Sequence, residues 1–474
     1  MMKKNLLVLY LCNFLYVAAC TPSRLPASTN DKPIAFPGAE GYGKYATGGR
    51  GGKIFIVSNL EDDGEGSFRK AVTAKGARIV VFSVSGTIHL KSQVNIRGDI
   101  TIAGQTAPGD GICIADHPVS LSGNNIIIRY IRFRLGDRYQ NKGKVPGSGH
   151  DDALSGYRRS NIMIDHCSFS WSTDECFSIY GGDSTTLQWN IISEPLNYSY
   201  HFEAGNTDFE KHGYGGIWGG KHLTAHHNLF AHCNNRNPRF DGIRNTGSEF
   251  VDYRNNVIYN WGSNTIYAGE GGNYNIINNY FKYGPTTNKS ARFRIASPGR
   301  REEAPAIPFG KWHVSGNHVD EAAEVTNNNH LGIYMGNGGT AEDKKNTLVD
   351  KAFSAEEITF QNALDSYDAV LRSAGASYSR DTLDTRVIND VKNRTGKLID
   401  VQGGFPHGTP YEQSKIAWPF LRSLAAPLDS DKDGMPDDWE IKNKLDPHDA
   451  SDHSKVSNHS FYTNIELYLN SLLK

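Results

Sequence analysis

A right-handed parallel β-helix, a single-stranded solenoid of the all-β class with a partly helical C-terminal extension, is the fold this sequence predicts. Three observations carry the prediction. Short β-rich runs recur along the chain, among them IFIVSNL, ARIVVFSVSGTIHL, ITIAGQ, NIIIRYIRFR, NIMIDHCSFS, TLQWNIIS, HLTAHHNLFAH, FVDYRNNVIYN, YNIINNYFKY and WHVSGNHV. Superposing them brings Ile131, Cys167, Asn190, Asn228, Asn256, Asn279 and Asn317 to one position. An apolar residue follows two places later each time: Phe133, Phe169, Ile192, Phe230, Ile258, Phe281 and Val319. The intervals vary between about 23 and 38 residues, as expected of a fixed coil carrying loops of variable length. Finally, 49 glycines and recurrent asparagine pairs suit tight turns between short strands.

Asparagines stacked on successive coils bond one another's side-chain amides and the backbone, so a ladder of them fits a solenoid. A propeller or antiparallel sandwich is disfavoured because two-residue hairpin signals are few. The β-helix is assigned to residues 34–320. Beyond it, SAEEITFQNALDSYDAVLRSAGA and LDTRVINDVKNRTG have helical spacing, with Ser354 as N-cap and Gly375 as stop. Residues 321–425 are therefore an extension packing on the solenoid, and 426–474 a separate loop and tail.

The chain opens MMKKNLLVLYLCNFLYVAAC, with Lys3 and Lys4 before an apolar run from Leu6 to Ala19 that is too short to be a spanning helix. Val17-Ala18-Ala19-Cys20 resembles a bacterial lipobox, which makes 1–19 a signal peptide, Cys20 the lipidated residue and 20–33 a polar tether. The expectation is an exported lipoprotein of the outer membrane, on its periplasmic or cell-surface face, touching the membrane only through the lipid. Of six cysteines, Cys113, Cys167, Cys176 and Cys233 remain in the body of the chain, either as small buried residues or as disulfide or metal partners. No CxxC spacing points to zinc. A formal net charge of -1 excludes a generally basic, nucleic-acid-binding protein, and a monomer is expected.

DSDKDGMPDDWE meets the D-x-[DN]-x-[DN]-G-x5-E rule through Asp429, Asp431, Asp433, Gly434 and Glu440, with Asp437 at the ninth place. Alternate oxygen ligands wrap a hard cation, and glycine supplies the bend. With nothing basic or nucleophilic around it, the loop reads as a structural Ca2+ clip. A second acidic set comes from neighbouring coils: Asp151 and Asp152 in HDDALSG, Asp165, and Asp174 and Glu175 in STDECF. Carboxylates meeting there repel one another unless a divalent cation sits between them. Asp165 either faces this site or lies in the turn. Arg132 and Arg134 in IRFR share one strand face, as do Arg292 and Arg294 in RFR; these are either solvated surface or the wall of an anion-binding groove. His226, His227 and His232 read as packed strand residues rather than metal ligands.

FPGAEGYG, DDAL, IDHCSFSW, HGYGGIWGG and HHNLFAH…RNPRF together resemble the pectate lyases of polysaccharide lyase family 1, over about residues 34 to 320. The resemblance implies the pectin lyase-like β-helix, a calcium ion in a groove on its side, and β-elimination on polygalacturonate or pectin, an acidic polysaccharide. It nominates Asp152 and Asp174 as calcium ligands. The next ligand position is Ser178, with Asp151 or Glu175 as substitutes. Arg236, which opens the R-x-P-x-x-R motif, becomes the general base, with Lys211, His212 and Arg239 contacting substrate; the motif's last arginine falls on Asp241. An arginine acts as base only where other positive charge disfavours its protonated form. Two other readings remain: a polygalacturonase-like hydrolase using Asp151, Asp152 and Asp174 on water, and a non-catalytic glycan-binding β-helix.

Overall fold

The computed structural model describes residues 32–140, 142–456 and 460–473. The signal peptide, Cys20 and almost all of the tether lie outside the described residues. Within them the chain is a parallel β-helix: short strands pair in parallel with strands one coil away, forming a 17-stranded sheet and a 9-stranded sheet. The long strand Phe177–Gln188 passes through both faces of the larger sheet, pairing with Leu154–Tyr157 at its start and with Ser160–Asp165 at its end.

The predicted superposition is the observed register. Phe133, Phe169, Ile192, Phe230, Ile258, Phe281 and Val319 are successive partners along the 9-stranded sheet. All are buried and fill the solenoid interior. Two residues before each lies the ladder. Asn190 Nδ2 donates to Asn228 Oδ1 at 2.9 Å, Asn228 to Asn256 at 2.9 Å, Asn256 to Asn279 at 3.0 Å and Asn279 to Asn317 at 2.9 Å. Asn329, missed by the superposition because it lies only a short way beyond Asn317, ends the row and accepts from Asn317 at 3.0 Å.

The residue before each ladder position turns the corner between sheets in the left-handed conformation: Tyr130, His166, Trp189, His227, Asn255, Asn278 and Gly316 all have φ between 52° and 69°. Stacking offsets part of that cost, with rings 4.9 Å apart for Tyr130 and His166, 5.8 Å for His166 and Trp189, and 4.1 Å for Trp189 and His227. His226 and His227 therefore belong to the scaffold, as expected.

The FPGAEGYG block closes the outer side of this corner. Phe36 covers the Arg129 guanidinium at 3.6 Å, and Gly43 comes so near that an added Cβ would sit 2.3 Å from the Ile162 carbonyl. Asp165 is buried on this side, 2.7 Å from Arg129 and 2.8 Å from Gln188 Nε2, so it lies at the turn and away from the acidic site.

The C-terminal extension lies along the solenoid. Val370, Leu371, Leu383, Val387 and Val391 pack on Ile191, Leu229, Val257 and Tyr259 of the smaller sheet's outer face. Helix Ala363–Ser373 begins at the Asn362 cap, whose side chain accepts from Asp365 N, so residues from Ser354 to Asn362 are not helical as the spacing predicted. Gly375 does mark the stop, at φ 82°.

Arg132 and Arg134 share a face as expected, but that face is no anion groove. Both are fully buried against Asp381 and Asp384 of helix Thr382–Asn393 and its cap: Arg134 reaches Asp381 at 3.0 Å and Asp384 at 2.9 Å, and Arg132 reaches Asp381 at 3.2 Å. Arg292 and Arg294 lie in a turn, resting on the Tyr283 and Tyr334 rings at 4.7 and 5.1 Å. The four body cysteines are buried and free. Among the described residues, no helix is long and apolar enough to cross a membrane.

Asn256→Leu removes the acceptor of the buried Asn228 amide, and the chain should lose about 3 kcal/mol in denaturant unfolding. Burial holds His227 down to about 4, against a hydrogen bond to Gln361 that acts the other way. The unfolded chain therefore takes up a proton that the folded chain refuses, so stability should fall as pH drops from 6.5 towards 4. The loss is on the order of 2 kcal/mol at this one site, and His227→Phe should flatten the acid limb measured by urea midpoints across that range.

Candidate active site

One turn, repeated on successive coils, builds the site. Asp151 O accepts from Asp174 N at 3.2 Å, Glu175 O from Ala153 N at 3.2 Å, and Tyr214 O from Cys176 N at 3.1 Å. Glu175 bridges in parallel to Tyr214, and Tyr214 to Asn235. Residues far apart in sequence thus stand in one column immediately before strands Leu154–Tyr157, Phe177–Gln188, Ile217–Gly220 and Arg239–Phe240.

Asp152, Asp174 and Glu175 bring carboxylate oxygens within 4.8 Å of one another. Asp152 Oδ1 accepts from Glu175 N at 3.0 Å. Burial, with Asp174 adding to it, pushes the Asp152 carboxyl well above the usual range, while Arg236 and a hydrogen bond from Ser178 pull it back. Ser178 is buried and also accepts from Ile217 N at 3.1 Å, so the residue at the missing ligand position orients Asp152. Three crowded carboxylates, one of them resisting ionisation, have the oxygen chemistry and spacing that a calcium ion satisfies. Asp151 turns aside to Arg138 at 2.8 Å.

Arg236 stands over this group. Its guanidinium ion-pairs with Glu175 and lies 4.1 Å from the Tyr214 ring centroid. The side chain keeps 22% exposure, enough to meet a ligand. Its backbone is left-handed at φ 56°, pinned by Arg236 N donating to Asn235 Oδ1 at 2.7 Å and by buried Asn237, whose Nδ2 donates to the Asn264 carbonyl at 3.0 Å. Arg239 projects next along the groove, 3.5 Å from Glu270, into a cavity of about 370 Å³ shared with Arg244, Arg300 and Arg301.

His212 is buried, stacked on His201 at 3.7 Å with Nε2 3.5 Å from Asp174; burial and His201 hold it down to about 4, so it stays neutral. Lys211 lies on the rim beside Tyr198, Asp208 and Asp400, and is not part of the carboxylate group. Asp241 is buried and accepts from Asn245 Nδ2 at 2.8 Å; burial pushes its carboxyl above the usual range, against that bond and the nearby Arg239 and Arg244. Arg244 lines the Arg239 cavity near the place where the motif lacks its last arginine, while Arg300 pairs with Glu302 at 2.7 Å and Glu270 and Glu303 share the lining; only the fold brings them there. Asp429, Asp431 and Asp433 gather elsewhere, on a loop packed over the first coils, while Asp437 bonds to Ser430.

Carboxylates and a partly exposed arginine stacked on the side of a β-helix fit a polysaccharide lyase. No family model matches the chain. It is 37% identical over 452 residues to a probable pectate lyase C of Aspergillus terreus, covering 93% of this chain and 94% of that one. To a probable pectate lyase C of Aspergillus flavus it is 36% identical with the same coverage. The chain belongs to the pectate lyase family. Among solved structures it is similar to the cedar pollen allergen Jun a 1, with 17% identity, TM-score 0.47, and 73% and 99% of the two chains covered. It is likewise similar to a Bacillus pectate lyase in complex with trigalacturonate, at 15%, 0.42, 71% and 98%.

Proposed function

We propose that this protein cleaves polygalacturonate by calcium-dependent β-elimination, with Arg236 as the base and Asp152, Asp174 and Glu175 as calcium ligands. The observation that carries the reading is the position of Glu175, which belongs to the carboxylate group and also pairs with Arg236. While that pair holds, Glu175 occupies the guanidinium. Calcium held by the three carboxylates would supply Lewis-acid stabilisation of the uronate carboxylate onto which charge spreads, and would draw Glu175 off Arg236. Arg236, having released a proton to water, takes the C5 proton, the C4–C5 double bond forms, and the C4–O bond breaks, the departing oxygen gaining a proton from water. Arg239, Arg244 and Arg300 hold neighbouring uronates. Lys211 contacts substrate from the rim, and neutral His212 positions Asp174.

The segmentation belongs to the same proposal: residues 34–320 catalyse, 321–425 brace the solenoid, 426–474 clip the end, and 1–33 export and tether the enzyme through Cys20. Galacturonate comes to this chain from its relatives' names, and anionic sugars fit the arginine-lined cavity.

Arg236→Ala should lower formation of the ultraviolet-absorbing unsaturated product by about 10³-fold while polymer still binds in calcium. Saturated reducing ends instead would make the enzyme a hydrolase, and binding without cleavage by the parent protein would make it a glycan-binding module. Ser178→Asp adds a buried carboxylate beside Asp152, so it should melt lower than the parent in chelator and gain more on adding calcium. Equal destabilisation in both conditions would remove the cation from this position.

A further inference from the structure

The acidic loop near the C-terminus takes no part in the groove, and it departs from the sequence pattern at one place. Asp429, Asp431 and Asp433 bring oxygens within 4.8 Å of one another, and so do Asp433, Glu440 and Asp452. Asp433 belongs to both groups, so the carboxylates converge on one region. Asp437, the ninth residue of the pattern, is turned away, accepting from Ser430 N at 2.8 Å and Ser430 Oγ at 2.7 Å. Its place is taken from outside the loop by Asp452, in the turn Asp452–Ser454.

A gathering of acids alone would be ordinary surface. Here Asp433, Glu440 and Asp452 are 1%, 0% and 3% exposed. Asp431 Oδ2, Asp433 Oδ2, both Glu440 carboxylate oxygens and Asp452 Oδ1 are buried without a hydrogen bond. Buried carboxylates are costly unless paired or bound to metal, and Lys455, three residues after Asp452, pairs instead with Asp449 at 2.9 Å. Burial first and the neighbouring aspartates second push Glu440 up to about 8 and Asp433 up to about 7. A hard divalent cation satisfies all these oxygens together.

We propose that Asp429, Asp431, Asp433, Glu440 and Asp452 form a second calcium site, which clamps the C-terminal segment onto the first coils of the solenoid. Met435 follows the bend at Gly434 and is buried with Ile79, Val81 and Ala103 of those coils and with Ile465 and Leu469 of helix Asn464–Ser471. Gly434 itself lies so close that an added Cβ would be 3.0 Å from Ile54. Ordering the ligands therefore seats Met435, and Asp452 ties the following turn to the same point. The site is independent of the groove.

The test uses the full mature chain carrying Asp174→Asn, which disables the groove ion. Calcium should still raise its melting temperature. Adding Asp452→Asn should shift the calcium midpoint of that rise by about tenfold or more, whereas adding Asp437→Asn should leave it in place. An Asp452→Asn midpoint equal to the parent's overturns the proposal, as does loss of the rise in Asp437→Asn alone. Should the Asp452 variant not fold, terbium bound to the parent and excited through Trp439, beside Glu440, should luminesce, yield to calcium and go dark in Trp439→Phe. Absence of Trp439-sensitised luminescence overturns the site.

Discussion

Every other feature of the molecule depends on the row of buried asparagine amides. From Asn228 onward each Oδ1 accepts twice from the preceding asparagine of the row, once from its backbone and once from its Nδ2, as when Asn228 Oδ1 takes Asn190 N at 3.0 Å and Asn190 Nδ2 at 2.9 Å. The second Nδ2 hydrogen returns to a strand carbonyl, such as Leu187 O at 2.9 Å for Asn228 and Ala225 O at 3.0 Å for Asn256. A slip of one residue would leave these buried groups unpaired at about 1–3 kcal/mol each, so the coils have one register. Because register is set at this corner, the chain can lengthen elsewhere on the coil without disturbing it. The acidic column lies where such insertions end: Asp151 closes the loop after Arg134, and Tyr214 the loop after Ser193.

Charge is sorted by what covers it. Arg132 and Arg134 would be ruinous inside the extension's interface but for Asp381 and Asp384; burial raises the Asp381 pKa, yet Arg134 and Arg132 outweigh it and hold the group at about 2. That pairing welds the helical extension to the smaller sheet. On the groove side the balance is reversed. Among the described residues, Asp152, Asp174 and Glu175 meet the Arg236 guanidinium and the neutral His212 ring, so the carboxylates there outnumber their partners, which suits the proposed cation. The arginines that would meet an anionic polymer stand farther along, around the cavity of Arg239 and Arg244.

The solenoid was legible in the sequence because its cause is local: an amide, then an apolar residue two places on, in coil after coil. The gathering of Asp152, Asp174 and Arg236 in one place was legible through short blocks that fold as single turns. What the sequence hid is whatever depends on distant partners. IRFR looks the same whether its arginines meet solvent, a polyanion or a helix some 247 residues away. RFR at Arg292 alternates like a strand, yet no neighbouring strand receives it. Helical spacing from Ser354 fails because Phe353 N and the Gln361 carbonyl are engaged by Asn275 and Asn255 of the solenoid, which hold the segment between them extended. Asp452 carried no motif at all.

Left-handed residues separate scaffold from chemistry. In Tyr130, His166, Trp189, His227, Asn255 and Asn278 that conformation recurs at one corner of every coil, and its cause is architectural: one residue must turn the chain before the ladder. Arg236 shares the conformation at φ 56° but stands in none of those corners, on a turn that the coils before it make with Glu175 and Tyr214. A bulky side chain there costs about 1–3 kcal/mol unless its surroundings impose it. Asn235 Oδ1 and Asn237, itself held by Asn264 and Thr265 of the next coil, impose it. The fold thus tolerates a locally unfavourable backbone in order to aim one guanidinium across Tyr214 at Glu175, which makes the RNPR turn a product of the coils on either side of it.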